Sequence, residues 1–385
     1  LAALAAVGQF AGSVYTPSIP SMAVELGQSV PAVQATYGVF VAAFAFSVLI
    51  WGPIADAAGR RKTAFAGLSI FLIGTLAATF APDLGTLLLA RVLQAVGAAS
   101  GIIVSRAATR DSFEGADLTR VLAAVSIAFA IVPGVTPLLG GLIEMAASWR
   151  VSFALAFVAG AVLILAAHRR LPETLPEKVP INLAELSVSY RMILGDRGFV
   201  AYALSAALVF SSMGAFFAAG PQLYIGVLGI TPAEFGLYPP LSVAGFIIGA
   251  SLVRRLSDAL APARLASLGL AVMAFGVTIM AVFPLGGVAH KHLYTLGMVF
   301  VATGLGLFLP TAIAAALQRF PERAGTAASI QGCFQMLGAS CGAFLTGAFQ
   351  ESAPTLALPL TMAAVLTGGV LVFALLVPRS PAAAS

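Results

Sequence analysis

The chain is poor in charged residues, since Asp, Glu, Lys and Arg make up only 9% of its 385 residues. Ordinary soluble domains carry about a quarter. With a hydrophobic content of 60%, this scarcity excludes a soluble globular domain.

Cysteine and histidine are also scarce, with two and three residues. Cys333 and Cys341 lie on one predicted helix, about 12 Å apart along its axis, which is too far for a disulfide. No cluster has the spacing of a metal site, so we expect neither a metal nor a cofactor. An extracellular metal contact at His290 and His292 is the remaining alternative.

Long apolar runs fill the chain instead. Polar and apolar residues do not alternate in these runs as they do in the strands of a membrane barrel. A helix needs about 20 apolar residues to cross the membrane once. We therefore predict an all-α membrane protein with twelve transmembrane helices. The predicted spans are 1–24, 31–55, 63–81, 84–107, 117–142, 148–169, 195–226, 232–256, 262–284, 291–315, 325–350 and 353–378.

A polar, proline-containing stretch divides the spans into two sets of six. We predict an N-terminal six-helix bundle at 1–169, a cytoplasmic linker at 170–194 and a C-terminal six-helix bundle at 195–385. Within the linker, apolar residues of 181–194 share one helical face, which is typical of a helix lying on the membrane surface. A solvated linker is the alternative.

The cationic residues predict the orientation, because Lys and Arg concentrate on the cytoplasmic side of membrane proteins. Of 20 such residues, only Arg150 and Lys291 fall in the opposite loops, and Arg91 lies inside a span. We therefore expect both termini in the cytoplasm, and we attribute the pI near 9.5 to orientation rather than to nucleic-acid binding. Because Leu1 already lies within a span, we expect the native chain to begin slightly earlier; no cleavable signal peptide is evident.

Three motifs occur in order along the chain. The run 52–62, Gly-Pro-Ile-Ala-Asp-Ala-Ala-Gly-Arg-Arg-Lys, interrupts two spans and is predicted to be a tight cytoplasmic loop. The run 89–97 places an Arg and a Gln in the fourth span, and the run 133–141 places two prolines and three glycines in the fifth.

Together these motifs resemble those of the major facilitator superfamily, in particular its twelve-span drug:proton antiporters. Finer features are similar to the bicyclomycin and chloramphenicol resistance branch, called Bcr/CflA. They are the runs 15–20, 106–111, 171–175 and 323–327. The resemblance implies the major facilitator fold, with two pseudo-symmetric six-helix bundles.

The first motif predicts a gate. Asp56 lies at the C-terminal end of its helix, where the helix dipole disfavours a carboxylate. Nearby basic groups such as Arg60 and Arg61 would offset this by pairing with it. The resemblance implies further contacts of Asp56 with the start of the eleventh span and of Arg60 with Asp111, which would latch the halves. A topology signal without a gating role is the alternative. The predicted gating residues are Gly52, Asp56, Gly59, Arg60, Arg61, Asp111 and Gly325.

Arg91 is the one charge predicted well inside a span, where a cation costs at least about 2.5 kcal/mol. The resemblance implies that it borders the central cavity, with Gln94 beside it, and takes part in proton coupling. A structural Arg bonded to backbone carbonyls is the alternative.

The fifth span is expected to be bent and closely packed, because prolines remove backbone hydrogen bonds and glycines let helices approach. The resemblance implies a seal against proton leak, and dense packing is the alternative interpretation. The residues concerned are Pro133, Gly134, Pro137, Gly140 and Gly141.

Further cavity residues are predicted from polar stripes at helical spacing, since polar groups avoid lipid. Phe210, Met213 and Phe217 share another face of the seventh span, which is more typical of packing than of binding. The predicted substrate-cavity residues are Gln9, Ser13, Tyr15, Thr16, Arg91, Gln94, Ser205, Ser212, Phe216, Gln331 and Gln335.

The chain departs from the branch that it resembles at Ser13, since members of that branch commonly carry an Asp two residues before the Tyr that corresponds to Tyr15. No acidic residue is predicted mid-span, so a proton carrier is not evident, and an acid-free cavity disfavours cations. We predict a monomeric exporter in the bacterial inner membrane that moves a small neutral or anionic compound, such as an amphenicol-like drug, a metabolite or a siderophore. The mechanism expected is alternating access coupled to proton antiport.

A uniporter or importer of an organic anion is the alternative within transport. A membrane sensor is a further alternative, although no loop is long enough for a soluble domain. An enzyme is not expected, because no nucleophile and base pair or phosphate loop occurs at a convincing spacing.

Overall fold

The computed structural model describes residues 1–175, 177 and 180–377. Pro176, Lys178 and Val179 of the predicted linker, and residues 378–385 of the predicted C-terminal bundle, lie outside the described residues. Within the described part all regular secondary structure is helical, and no strand is present.

The α-helices are numbered in chain order. They are α1 (Ala2–Ser13), α2 (Ile19–Glu25), α3 (Val30–Ala58), α4 (Arg60–Thr79), α5 (Leu84–Ser112), α6 (Gly115–Ala146), α7 (Trp149–Arg170), α8 (Leu183–Gly195), α9 (Arg197–Pro221), α10 (Pro232–Phe235), α11 (Tyr238–Leu256), α12 (Pro262–Leu285), α13 (Lys291–Leu317), α14 (Ala324–Gln350) and α15 (Ala357–Leu376).

Eleven of the predicted spans are helical segments that are long and apolar enough to cross a membrane. The eighth predicted span, 232–256, is interrupted between α10 and α11. The first span is broken into α1, a 3-10 turn at Thr16–Ser18 and α2. Pro17 and Pro20 stand at the starts of the later two segments, and proline disfavours helix in the residue before it. The all-helical, twelve-span fold predicted from the sequence is confirmed.

The helices form two bundles, with α1 to α7 in the first and α9 to α15 in the second. Between them, α8 lies within the predicted linker, and Asn182 caps it by accepting a hydrogen bond from the Glu185 amide (3.2 Å). Asp196 caps α9 and pairs with Arg319 (2.5 Å). The hydrogen bonds from Arg319 and from the Phe199 amide outweigh partial burial and hold the pKa of Asp196 below its usual range.

The predicted loop at 52–62 is almost entirely helical, so its prediction as a loop is wrong. Here α3 continues to Ala58 and α4 begins at Arg60, which leaves Gly59 as the single connecting residue. Gly59 adopts φ +101°, a backbone conformation that favours glycine. One such residue suffices to reverse the chain, so the paired arginines lie in the first turn of α4 rather than in a loop.

Glycines set the closest helix contacts in the first bundle. A Cβ atom added to Gly97 on α5 would lie 2.2 Å from the Phe71 amide nitrogen on α4. The contact is with backbone, which cannot move away as a flexible side chain would. Close approach of this kind is what small residues provide between membrane helices.

We expect Gly97→Ala to lower the thermal stability of the detergent-solubilised protein, because overpacking typically costs about 1–3 kcal/mol. The matched control is Gly332→Ala on α14, where an added Cβ has no atom within 4 Å. Thermal unfolding followed by intrinsic fluorescence compares the two. Equal melting temperatures for the two variants would contradict the packing assigned to Gly97.

Candidate functional site

A central cavity of about 800 Å³ lies between the two bundles. Its wall is largely aromatic and aliphatic, with Phe40, Phe44 and Phe129 from the first bundle and Phe210 and Phe246 from the second. An apolar cavity of this size, with a few polar groups, is typical of a site for a small organic molecule.

A second cavity of about 700 Å³ adjoins the first and shares Phe44, Arg106 and Gln335 with it. It extends to Asp56, whose side chain is 54% exposed, and is flanked by Tyr190 of α8. We call this face, where Gly59 and α8 lie, the linker side. The two cavities therefore form one path from the centre of the molecule to the linker side.

On the opposite side the bundles are in contact. Gln34 Nε2 on α3 donates a hydrogen bond to Gln350 Oε1 on α14 (3.3 Å), and Ser340 Oγ donates to the Gly38 carbonyl (2.8 Å). Both glutamines are buried. We call these contacts of α3 with α14 the opposite-side seal.

The fifth-span motif forms part of the contact between the bundles. Pro133 and Gly134 line the central cavity, and Gly141 packs so closely on α10 that a Cβ would lie 2.1 Å from the Pro232 carbonyl oxygen. Gly140 packs in the same way on the Val14 carbonyl within the first bundle. Pro137 lies inside the unbroken helix α6 and is buried.

The predicted cavity residues divide into two groups. Gln9, Ser13, Phe216 and Gln335 line the central cavity, and Gln331 and Gln335 line the linker-side cavity. Phe210, Met213 and Phe217 also line the central cavity, although their spacing is more typical of packing than of binding. The remaining predicted residues are buried within the bundles and line neither cavity: Tyr15, Thr16, Arg91, Gln94, Ser205 and Ser212.

Ser13 stands where an acid was expected from the resemblance. Its hydroxyl hydrogen-bonds Thr136 Oγ1 on α6 (2.5 Å) and donates to the Gln9 carbonyl (2.7 Å). The position is therefore satisfied without a charge.

Arg91 is fully buried and lies between α1, α3 and α5. Its Nη1 donates to the Ala11 carbonyl (3.0 Å) and to Gln94, and its Nε donates to the Thr36 carbonyl (3.4 Å). The guanidinium also sits 4.1 Å from the Phe40 ring centroid and 4.5 Å from that of Tyr15. These carbonyl dipoles and aromatic faces stabilise the buried positive charge.

The predicted gate is assembled within the first bundle. Buried Arg60 donates from Nε to Asp111 Oδ2 (2.9 Å) and pairs with Asp56 through Nη1. Arg61 Nη2 donates to the His168 carbonyl (3.1 Å). Among the described residues Asp56 has no hydrogen bond to α14, although Asp56, Gly52 and Gly325 line the same linker-side cavity.

One member of this cluster escaped sequence reasoning. Glu173, just after α7, accepts hydrogen bonds from the backbone amides of Arg60 (2.8 Å) and Arg61 (3.3 Å). It thus caps the N-terminus of α4, where unpaired amides and the helix dipole favour an anion. Its contact comes from residues more than a hundred positions away, and the only sequence signal was the run 171–175.

Arg106 was also missed, because it was counted only as a cytoplasmic cation. It lies on α5 and lines both cavities. Among the lining residues of the central cavity it is the one charged residue, and no carboxylate accompanies it there. The signal available in the sequence was its place in the run 106–111, which belongs to the resemblance.

A profile of the Major Facilitator Superfamily matches residues 1–343 and 202–385. The chain belongs to the major facilitator superfamily. It is accordingly a multi-pass membrane transporter and not an enzyme.

Relatives in this superfamily match along almost the whole chain. Multidrug resistance protein D of Escherichia coli is 29% identical over 91% of this chain and 88% of its own length. A bicyclomycin resistance protein homolog of Haemophilus influenzae is 25% identical over 99% and 96%. They confirm the resemblance to the bicyclomycin and chloramphenicol resistance branch.

Solved structures of low identity share the fold. A D-xylose-proton symporter superposes with a TM-score of 0.77 at 15% identity, covering 98% of this chain and 96% of that one. A bacterial homolog of the human lysosomal transporter Spinster, in an inward-facing conformation, gives 0.74 at 15% identity, with 97% and 94% covered. The major facilitator fold predicted from the motifs is confirmed.

Arg91 offers a test between a structural and a transport role. We expect Arg91→Met to lower the melting temperature, because buried acceptors left without a donor cost about 1–3 kcal/mol each. Thermal unfolding of the purified variant measures this. An unchanged melting temperature together with lost transport would contradict a structural role.

Proposed function

We propose that this transporter exports a small neutral or anionic compound across the bacterial cytoplasmic membrane by alternating access. The observation that carries the proposal is the single path formed by the two cavities, which reaches the linker side while α3 and α14 are in contact on the opposite side. In a transporter, such a path exposes a central site to one side at a time.

The lining of the path supports the substrate class. Aromatic and aliphatic side chains dominate the central cavity, and its one charged lining residue is Arg106. A cationic, carboxylate-free wall repels lipophilic cations and accepts neutral or anionic molecules. The names of the E. coli and H. influenzae relatives favour a drug-like compound, and a metabolite or siderophore fits the same chemistry.

The gating proposal rests on Asp56 and Arg60. In this conformation Asp56 is half exposed at the cavity and bonded to Arg60, while Gly325 at the start of α14 has open space around it. Closure of the linker side would bring the α14 amides to Asp56, and the contact would exist in one state only. A contact of that kind biases the equilibrium between two conformations.

Coupling to protons by antiport is the mechanism we propose, with the linker side in the cytoplasm as the cationic loops predict. The protein acts as a monomer, because one chain supplies the whole path. The absence of a carboxylate among the lining residues of the central cavity favours, as the second candidate, a uniporter or importer of an organic anion.

Proteoliposomes with an acidic interior test the coupling. We expect them to accumulate chloramphenicol faster and to a higher level than vesicles without a pH gradient, because outward proton flow drives inward drug movement. Chloramphenicol carries no charge near neutral pH, so a gradient does not trap it by ionisation. The measurement is radiolabelled uptake.

Protein-free vesicles give the passive rate, and a protonophore is expected to remove the difference. Protein-dependent uptake that is equal with and without the gradient would exclude antiport and leave the uniporter. No protein-dependent uptake would contradict amphenicol export.

A further inference from the structure

Arg106 holds an unusual position for a cation. It lies on α5, lines the central and the linker-side cavity alike, and forms no ion pair within the described residues. Arg60, which also lines the linker-side cavity, is by contrast paired with two carboxylates. Arg106 thus presents an unanswered positive charge where the two cavities meet.

Gln331 faces the same space from the other bundle. Its side chain is 98% buried, since only 2% is exposed, and neither its Oε1 nor its Nε2 has a hydrogen-bond partner within the described part of the chain. It lines the linker-side cavity with Arg106, and Gln335, one turn further on, lines both cavities. A buried amide without partners is costly, so a ligand that supplies them would be bound favourably.

The space beside these polar groups is apolar. Phe44, Phe129, Met336 and Ile313 border both cavities, and the aromatic wall of the central cavity continues from them. A ligand that fits would therefore have an anionic end and an apolar body.

We propose that Arg106 and Gln331 form an anion subsite that holds the carboxylate of an amphiphilic organic acid, whose apolar body fills the central cavity. The guanidinium can donate two parallel hydrogen bonds to a carboxylate, and the Gln331 amide can donate a third from the second bundle. This inference rests on the proposed function and names its substrate class as organic monoanions with an aromatic or aliphatic body.

The subsite also spans the two bundles, since Arg106 belongs to α5 and Gln331 to α14. A carboxylate held by both would make contacts that change when the bundles move apart. The bound anion would then bias the conformational equilibrium as well as occupy the site.

The test measures binding of 1-naphthylacetate and of its neutral analogue 1-naphthylacetamide to the full chain in nanodiscs, by equilibrium dialysis. Both probes carry the same ring and differ in the head group, which is an anionic carboxylate in one and a neutral amide in the other. We expect the wild type to prefer the carboxylate by about tenfold, the factor expected of a charge-assisted hydrogen bond. In Arg106→Gln the preference is expected to disappear, and in Gln331→Leu the carboxylate affinity falls several-fold.

Two further variants keep the test decisive. Arg106→Lys retains the charge and is expected to keep a preference for the carboxylate. If Arg106→Lys keeps the preference and Arg106→Gln loses it, the lost charge explains the difference, because damage from replacing the arginine would affect both variants. Arg120→Gln is the charge-matched control, because Arg120 is paired with Asp117 on the surface, away from the cavities; it should bind as the wild type does.

Equal affinity of the wild type for the two probes, or a carboxylate preference that survives in Arg106→Gln, would overturn the subsite. Movement of chloramphenicol alongside equal probe affinities would refute the subsite and leave the proposed export intact. A carboxylate preference without chloramphenicol movement would refute the drug-export proposal and leave the subsite.

Discussion

The membrane interior offers no hydrogen-bonding partner, so the protein itself must supply partners for each polar group placed there. For Arg91 the carbonyls of Ala11 and Thr36 and two aromatic faces do so, although its Nη2 has no hydrogen-bond partner in the described part of the chain. Among the buried side-chain atoms without partners there, those of Gln331 and Ser242 belong to residues that line the cavities, where a ligand can reach them.

The fold and the ion pairs of Arg60 could be predicted, from span lengths, from close spacing in the sequence and from the resemblance. Span lengths follow from the thickness of the hydrocarbon core. The break of the first span at Pro17 and Pro20 was not predicted, since 1–24 was expected to be one helix. The pairing of Arg60 with Asp56 joins residues four positions apart on either side of Gly59, while that with Asp111 came from the resemblance. The exact turn did not follow, because one positive-φ residue, Gly59, replaces the expected loop.

The cavity was harder to predict, because helical spacing tells which residues share a face but not what that face meets. Arg91 and Gln94 share a stripe that faces the interior of the first bundle, whereas Arg106 on the same helix faces the other bundle. Glu173 illustrates the same limit, since its contact with the Arg60 amide joins distant parts of the chain. Rotation of each helix about its axis is fixed by packing that the sequence does not display.

The central claim is that contact of α3 with α14 closes the opposite side and must break during transport. A reducible cross-link between Gln34→Cys and Gln350→Cys, made with a short bis-methanethiosulfonate reagent in a chain with Cys333 and Cys341 replaced by Ala, tests it most directly, because the ends of the two glutamine side chains are in contact in the described state. The reagent spans the length that two glutamine side chains fill and two cysteines do not. We expect the cross-link to form, to stop uptake in proteoliposomes and to release it on reduction. Failure to form the cross-link, or undiminished uptake by the cross-linked protein, would contradict the account.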